Sequence, residues 1–313
     1  MPPENLYQTE TAGENRKACL HKGIGLALTA ACLYAINAPI SKLFLSSIGP
    51  AMMAGFLYLG TGLGMALLLA GRKLLYKENR EAPLEKNELP YIVGMVVLDI
   101  AAPILLMMGL QSCSAANASL LNNFEIVATA LIALFVFHES ISRRLWLGIG
   151  FVTLSCLILS FEDSGSLQFS KGSLLVLGAA LSWGLENNCT RKLSEKDPLE
   201  IVLIKGLFSG SGSLLIGLFS QEQLPALNRI LPVLLLGFVA YGLSIYCYVY
   251  AQRYVGAART SAYYAVAPFI ASFLSLLIFR QIPNAAYWTA LVFMMIGAWL
   301  SGGDGPVFRR RKK

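Results

Sequence analysis

Four ionisable residues stand inside stretches apolar enough to be surrounded by lipid: Asp99, Glu125, Glu186 and Lys205. Charges at bilayer depth are costly and, where they occur, point to function. Glu125 has Asn122 at i−3 and Thr129 at i+4, so a helix here carries one polar stripe. Glu186 has Ser182 at i−4 and Thr190 at i+4, with Asn187 and Asn188 beside it. Apolar surroundings disfavour a charged carboxylate, which suits Glu125, Glu186 and Asp99 to take up and release protons near neutrality. The same carboxylates suit the cationic group of a solute, with proton and solute competing for one place. Lys205 reads in two ways that stay open here. It is either the counter-ion of Glu186 or Asp99 in a structural pair, or an anion binder.

Aromatic residues gather near these groups. Tyr241, Ser244 and Tyr248 share a helical face, Tyr263 and Tyr264 follow in the next apolar stretch, and Trp183 adjoins the Glu186 stripe. A pocket lined by these side chains would take an aromatic or cationic organic solute through stacking and cation–π contacts. The alternative is that they sit at the membrane interface, where Tyr and Trp are enriched. Glu139 lies beside His138, Arg143 and Arg144 at the end of a span and reads as a gate or helix-end contact. Two histidines and six scattered cysteines without CxxC spacing offer no metal site or disulfide frame. No phosphate-binding loop is present, so neither a cofactor nor ATP hydrolysis is expected. An intramembrane lipid-modifying enzyme is an alternative; it would need clustered His, Asp and Ser or metal ligands at a membrane surface, and the chain holds two His.

The elements that must position these residues are membrane helices. The 313-residue chain is 56% hydrophobic and 14% charged, with a mean hydropathy of +0.60. A soluble domain carries roughly a quarter charged residues. Apolar stretches of about 20 residues, enough to cross a bilayer, are expected at 23–45, 50–71, 89–110, 113–137, 144–161, 171–192, 199–220, 230–250, 255–279 and 284–302. Gly49-Pro50, the charged run Arg72–Glu88, Arg143-Arg144, Asp197-Pro198 and Pro283-Asn284 mark breaks between them. The polar stretch Met1–Asn15 reads as disordered and lacks the pattern of a signal peptide. Basic residues concentrate around Arg16–Lys22, Arg72–Lys86, Arg143-Arg144, Arg191–Lys196, Arg253–Arg259 and Arg309–Lys313. Only Lys42, Lys171, Arg229 and Arg280 fall on the other side. Positive charge marks the cytoplasmic side, so both termini are expected there, in a cell membrane. The basic tail reads as a contact with anionic lipid; no nucleic-acid partner is expected.

The order of the helices repeats. Ala115–Glu139 and Ala257–Gln281 align without a gap, pairing Ala115/Ala257, Ser119/Ser261, Leu134/Leu276 and Phe137/Phe279. Setting Lys22 on Lys171 pairs Gly23/Gly172, Leu26/Leu175, Ala30/Ala179, Ser41/Thr190 and Lys42/Arg191. Five helices per repeat put the second copy in the membrane upside down, and inverted repeats are characteristic of secondary transporters. Gly60/Gly64 and Gly206/Gly210 give the GxxxG spacing of close helix contacts, which admits a homodimer as well as a monomer.

The matched stretches Ala27–Lys42, Ala115–Glu139, Gly172–Lys192 with Leu181-Ser182-Trp183-Gly184, and Ala257–Pro283 resemble the drug/metabolite transporter superfamily, specifically its EamA-type permeases. The resemblance spans about 22–302. It implies an all-α membrane protein with ten transmembrane helices as two inverted five-helix repeats. The implied layout is a tail at 1–21, repeats at 22–161 and 171–302, and a basic tail at 303–313. It also implies secondary transport of a small organic metabolite, an amino acid, amine or similar, by alternating access with proton-linked export or exchange. A flippase for a lipid-linked headgroup is the alternative on the same fold. Two departures stand out. Ile126 occupies the place where the family often has Pro in helix four, while its repeat mate is Pro268; and Glu139 becomes Gln281 in the second copy.

Overall fold

Without water to bond to, backbone amides in lipid must bond to one another, and runs of Leu, Ala, Ile, Phe and Met close into helices. The computed structural model describes residues 4–75, 84–137, 142–163, 166–193, 196–255, 260, 263–280 and 282–301. The first half holds α1 (Glu4–Ala35), α2 (Asn37–Phe44), α3 (Pro50–Leu75), α4 (Leu89–Ser112), α5 (Ala115–Leu121), α6 (Phe124–Phe137) and α7 (Arg143–Ser160). The second holds α8 (Lys171–Leu193), α9 (Pro198–Ile204), α10 (Gly210–Phe219), α11 (Leu227–Gly237), α12 (Ser244–Val255), α13 (Ala267–Phe279) and α14 (Ala285–Ser301). Wide π-helical turns at Lys205–Ser209 and Phe238–Leu243 join α9 to α10 and α11 to α12. Pro50 and Pro198 open helices, where a missing N–H is harmless.

Among the described residues, six stretches are long and apolar enough to cross a membrane: Leu20–Phe44, Pro50–Arg72, Lys86–Ser112, Arg143–Ser160, Pro198–Phe219 and Leu227–Ala251. The fold is the expected all-α membrane architecture with two repeats. Four of the ten expected spans look different. The one at 113–137 is two helices, because the chain turns at Asn122-Asn123. The one at 171–192 is a continuous helix, α8, but its Glu, Asn, Thr and Arg residues dilute its hydropathy. The last two are represented by the shorter apolar helices α13 and α14.

Three further expectations are corrected. The amino-terminal stretch is not an irregular tail: α1 starts at Glu4, and the Glu, Gln, Ala, Lys and Arg residues of this stretch are good helix formers. In the stretch between the repeats expected at 22–161 and 171–302, to which no element was assigned, β1 (Phe161–Asp163) and β2 (Ser166–Phe169) pair antiparallel, with Phe161 opposite Phe169. The GxxxG glycines are occupied within the chain rather than presented to a second copy. A Cβ on Gly206 would overlap the Gly62 backbone, and one on Gly60 would overlap the Leu234 carbonyl. Small residues permit such backbone approach, which is how helices associate where hydrophobicity offers no drive.

These contacts show how the repeats are related. Gly55 meets Leu214, Leu59 meets Gly210, and Met52 meets Gly217, so α3 runs antiparallel to its repeat mate α9–α10. Gly148 near the start of α7 meets Ser301 at the end of its mate α14, again antiparallel. Around these two axial pairs, α4 packs on α8 as α1 packs on α12, and α6 packs on α8 as α13 packs on α1. These contacts between halves come in matching pairs, which is the mark of a two-fold relation between inverted copies.

Candidate functional site

The four intramembrane charges do not scatter: three of them meet. Lys205 is the first residue of the π turn between α9 and α10, a device often found at functional positions. Its Nζ donates to Glu186 Oε1 at 2.6 Å and lies 3.3 Å from Asp99 Oδ2. All three side chains are buried. Thr190, one turn along α8, donates to the same Glu186 oxygen, and Tyr58 of α3 donates its hydroxyl to Asp99 Oδ1 at 3.0 Å. Pro103 in α4 has no N–H to offer the Asp99 carbonyl four residues earlier, so the helix is relaxed at this point. One ammonium thus ties α4, α8 and α9–α10 together across the two halves.

Glu125 stands beside this trio without entering it. It opens α6, directly after the turn at Asn122-Asn123, and accepts a hydrogen bond from Asn187 Nδ2 at 2.6 Å. Asn187 also reaches Thr129 Oγ1 at 3.4 Å, so the polar stripe read from the sequence exists and is answered by α8. Ile126 does not straighten the helix. The turn forms without the proline, closed by Glu125 N to Asn122 O and Ile126 N to Asn123 O. Asn side chains compete for local backbone bonds and favour such turns.

The tyrosines form the other half of the layer. Tyr241 lies in the second π turn, its ring centroid 5.2 Å from Tyr58 and 5.8 Å from Tyr34. Tyr264 is 5.9 Å from Tyr34 and 5.0 Å from Tyr248. Asn37 Nδ2 donates to the Tyr241 hydroxyl at 3.0 Å, Ser41 donates to Asn37 at 3.0 Å, and Asn122 Nδ2 donates to the Tyr34 hydroxyl at 3.2 Å. Trp183 is buried in the same core as Tyr58 and Tyr241. Tyr263 is half-buried one residue before Tyr264. Glu139 lies outside the described residues. No group of three or more His, Cys, Asp and Glu able to hold a metal occurs among the described residues.

The sequence reading missed Tyr34, Asn37 and Tyr58. The signal for two of them was present. The repeat offset that sets Lys22 on Lys171 also sets Tyr34 on Trp183 and Asn37 on Glu186. The offset that sets Ala115 on Ala257 sets Asp99 on Tyr241, Asn122 on Tyr264 and Glu125 on Ala267. The Asn37–Tyr241 hydrogen bond is therefore the neutral counterpart of the Glu186–Lys205–Asp99 bridge, and Ser41–Asn37 repeats Thr190–Glu186. One half of the layer is charged and the other is not.

Three interruptions of helix converge here: at Ile36 between α1 and α2, at Asn122-Asn123, and at Ala265-Val266 before α13. Pro39 and Pro268, each lacking an N–H, follow the first and third. Between them lies a cavity lined by Tyr34, Asn37, Leu106, Ser119, Asn122 and Pro268, among others, with about 20 Å³ of room for water-sized occupants. That is space for about one water.

Comparison with known proteins decides what kind of molecule this is. The model of the EamA-like transporter family matches the chain twice, over residues 21–161 and 170–303. The chain belongs to the EamA-like transporter family. An uncharacterized transporter of Methanothermobacter thermautotrophicus is 24% identical over 297 residues, covering 89% of this chain and 85% of that one. The uncharacterized transporter YyaM of Bacillus subtilis is 24% identical over 251 residues, covering 76% and 78%. A solved crystal structure 16% identical superposes with a TM-score of 0.64 over 89% of this chain and 95% of its own, which shows the shared fold. This EamA-like protein is a multi-pass membrane transporter.

Proposed function

We propose that this transporter is a secondary carrier that moves a small organic solute by alternating access, linked to protons as an exporter or exchanger, with both termini in the cytoplasm. The observation that carries this reading is the Lys205 bridge to Glu186 and Asp99, closed between two inverted halves. An uncompensated buried charge costs several kcal/mol. When the halves rock and Lys205 leaves one of its carboxylates, a proton on that carboxyl is the least costly replacement. Proton uptake is then tied to the change of shape, which is what coupling requires. The cavity at the helix breaks, with room for about one water, fits an occluded arrangement, since a carrier must seal its site from both sides between openings.

The test uses protein reconstituted in liposomes that contain a pH-sensitive dye. Solutes drawn from a thermal-shift screen of amino acids, amines and nucleosides are added outside. The reading expects at least one stabilising solute to move protons across the membrane in the wild type. It expects Glu186→Gln to bind that solute yet move no protons. Solute uptake with no proton movement, equal in wild type and Glu186→Gln, contradicts the coupling.

A further inference from the structure

We propose that the solute is an organic ammonium ion, seated with its charged group between Glu125 and the side-chain carbonyl of Asn122 and walled by the rings of Tyr34, Tyr241 and Tyr264. The proposal deepens the carrier reading and rests on it. It starts from the charges. Among the described residues the polar layer holds three carboxyls, Asp99, Glu125 and Glu186, against the single ammonium of Lys205. Lys205 donates to Glu186 at 2.6 Å and lies 3.3 Å from Asp99 Oδ2. Glu125 has an amide partner, Asn187, and no cation within salt-bridge distance among the described residues. Of the three carboxyls, Glu125 is the one with no cation beside it among the described residues.

Asn122 supplies the second, independent observation. Its residue is only 8% exposed, its Nδ2 is used on Tyr34, and its Oδ1 has no partner. Asn122 lines the cavity, three residues before Glu125 and bonded to it through the turn. A buried acceptor with no donor is an unfavourable arrangement unless a ligand supplies one. An ammonium N–H is such a donor. The walls agree. Tyr34 lines the same cavity, and the rings of Tyr241 and Tyr264 stand 5.8 and 5.9 Å from its own. Aromatic faces attract cations and do not attract anions. An anionic solute would need Lys205, whose ammonium is already spanned by two carboxylates. The cavity as it stands holds about one water, so binding requires the three helix breaks to part.

The test titrates purified wild-type protein with phenethylamine, its neutral analogue 2-phenylethanol and its anionic analogue phenylacetate, following thermal stability and intrinsic fluorescence at mildly acid and mildly alkaline pH. The charges facing Glu125 are Glu186 and Lys205, with the hydroxyls of Tyr34, Tyr241 and Tyr264. The amine alone should bind. Glu125→Gln should weaken amine binding by about tenfold or more, equivalent to about 1.4 kcal/mol. Tyr34→Leu should weaken it roughly three- to thirtyfold and Tyr34→Phe should restore it. The Tyr34 pair carries the test if Glu125→Gln does not fold. Tighter binding of phenylacetate or 2-phenylethanol, equal amine binding by Glu125→Gln, or no amine binding up to roughly 1 mM overturns the proposal. Each of these leaves the carrier reading standing if solute-linked proton movement is seen with another compound. Loss of that movement with every compound removes the carrier reading itself.

Discussion

At the scale of residues, Lys205 is the keystone of the charged half, and the consequences of losing it can be stated with sign. Lys205→Met leaves Glu186 and Asp99 buried and unpaired, which costs about 3–5 kcal/mol while both are ionised. Protonation removes that cost, so the deficit in melting temperature should be largest in alkali and shrink as the pH falls. Adding Glu186→Gln and Asp99→Asn should recover most of the loss at every pH. A deficit independent of pH would mean that the ammonium contributes packing and not charge. Which of these residues the sequence disclosed follows from chemistry. Charges in apolar surroundings announce themselves, so Asp99, Glu125, Glu186 and Lys205 were legible, as was a tyrosine cluster. Asn37 and Tyr34 were not, because an amide and a phenol in a membrane helix look ordinary until the repeat sets them opposite Glu186 and Trp183. Tyr58 is recognised through its bond to Asp99, a contact between helices that no spacing within one helix reveals.

At the scale of elements, the helices were legible and their interruptions were not. Hydropathy averages over a span and cannot see a two-residue turn, and Asn122-Asn123 carries neither Pro nor Gly. The π turns at Lys205 and Tyr241 leave no mark in the sequence either. Packing between elements gives two predictions. Gly62→Val and Gly206→Val force a side chain into the α3–α9 backbone contact and should lower stability by about 1–3 kcal/mol or more. Gly25→Ala and Gly150→Ala, where a Cβ meets nothing within 4 Å, should be neutral or slightly stabilising, since glycine inside a helix is unfavourable. Thermal melts in one detergent compare all four. At the Arg72 end of α3, Asp197 both caps α9 through Leu199 N and holds the Arg72 guanidinium, one of its two contacts at 3.1 Å. Asp197→Ala should cost about 1–2 kcal/mol from the lost cap and pair, and Arg72→Ala should cost less, because the cap survives.

At the scale of the whole molecule, the duplication was the strongest signal in the sequence and the structure turns it into geometry. Repeat mates α3 and α9–α10 touch antiparallel along their length, so a rotation of one half against the other can pivot on this axis while the flanking helices part. The opposite end of the axis is held by Glu222, which accepts from Ala51 N at 3.1 Å and Met52 N at 2.8 Å at the start of α3. Away from the axis, Lys42 donates to the carbonyls of Leu110 and Cys113, the latter at 2.5 Å, and so ties α2 to the end of α4. On the proposed alternating-access reading, the moving parts are α1–α2, α5–α6 and α13, around the three helix breaks. The most direct measurement is the side from which the cavity can be reached. In protein whose other cysteines are replaced, Asn122→Cys is labelled with a membrane-impermeant thiol reagent from each side, before and after Lys42→Cys is joined to Cys113 by a short bifunctional linker. The account predicts labelling from both sides in the free protein, and labelling from the cytoplasmic side alone once the linker is in place. Labelling that persists from both sides after linking, or that never occurs from one side in the free protein, would contradict it.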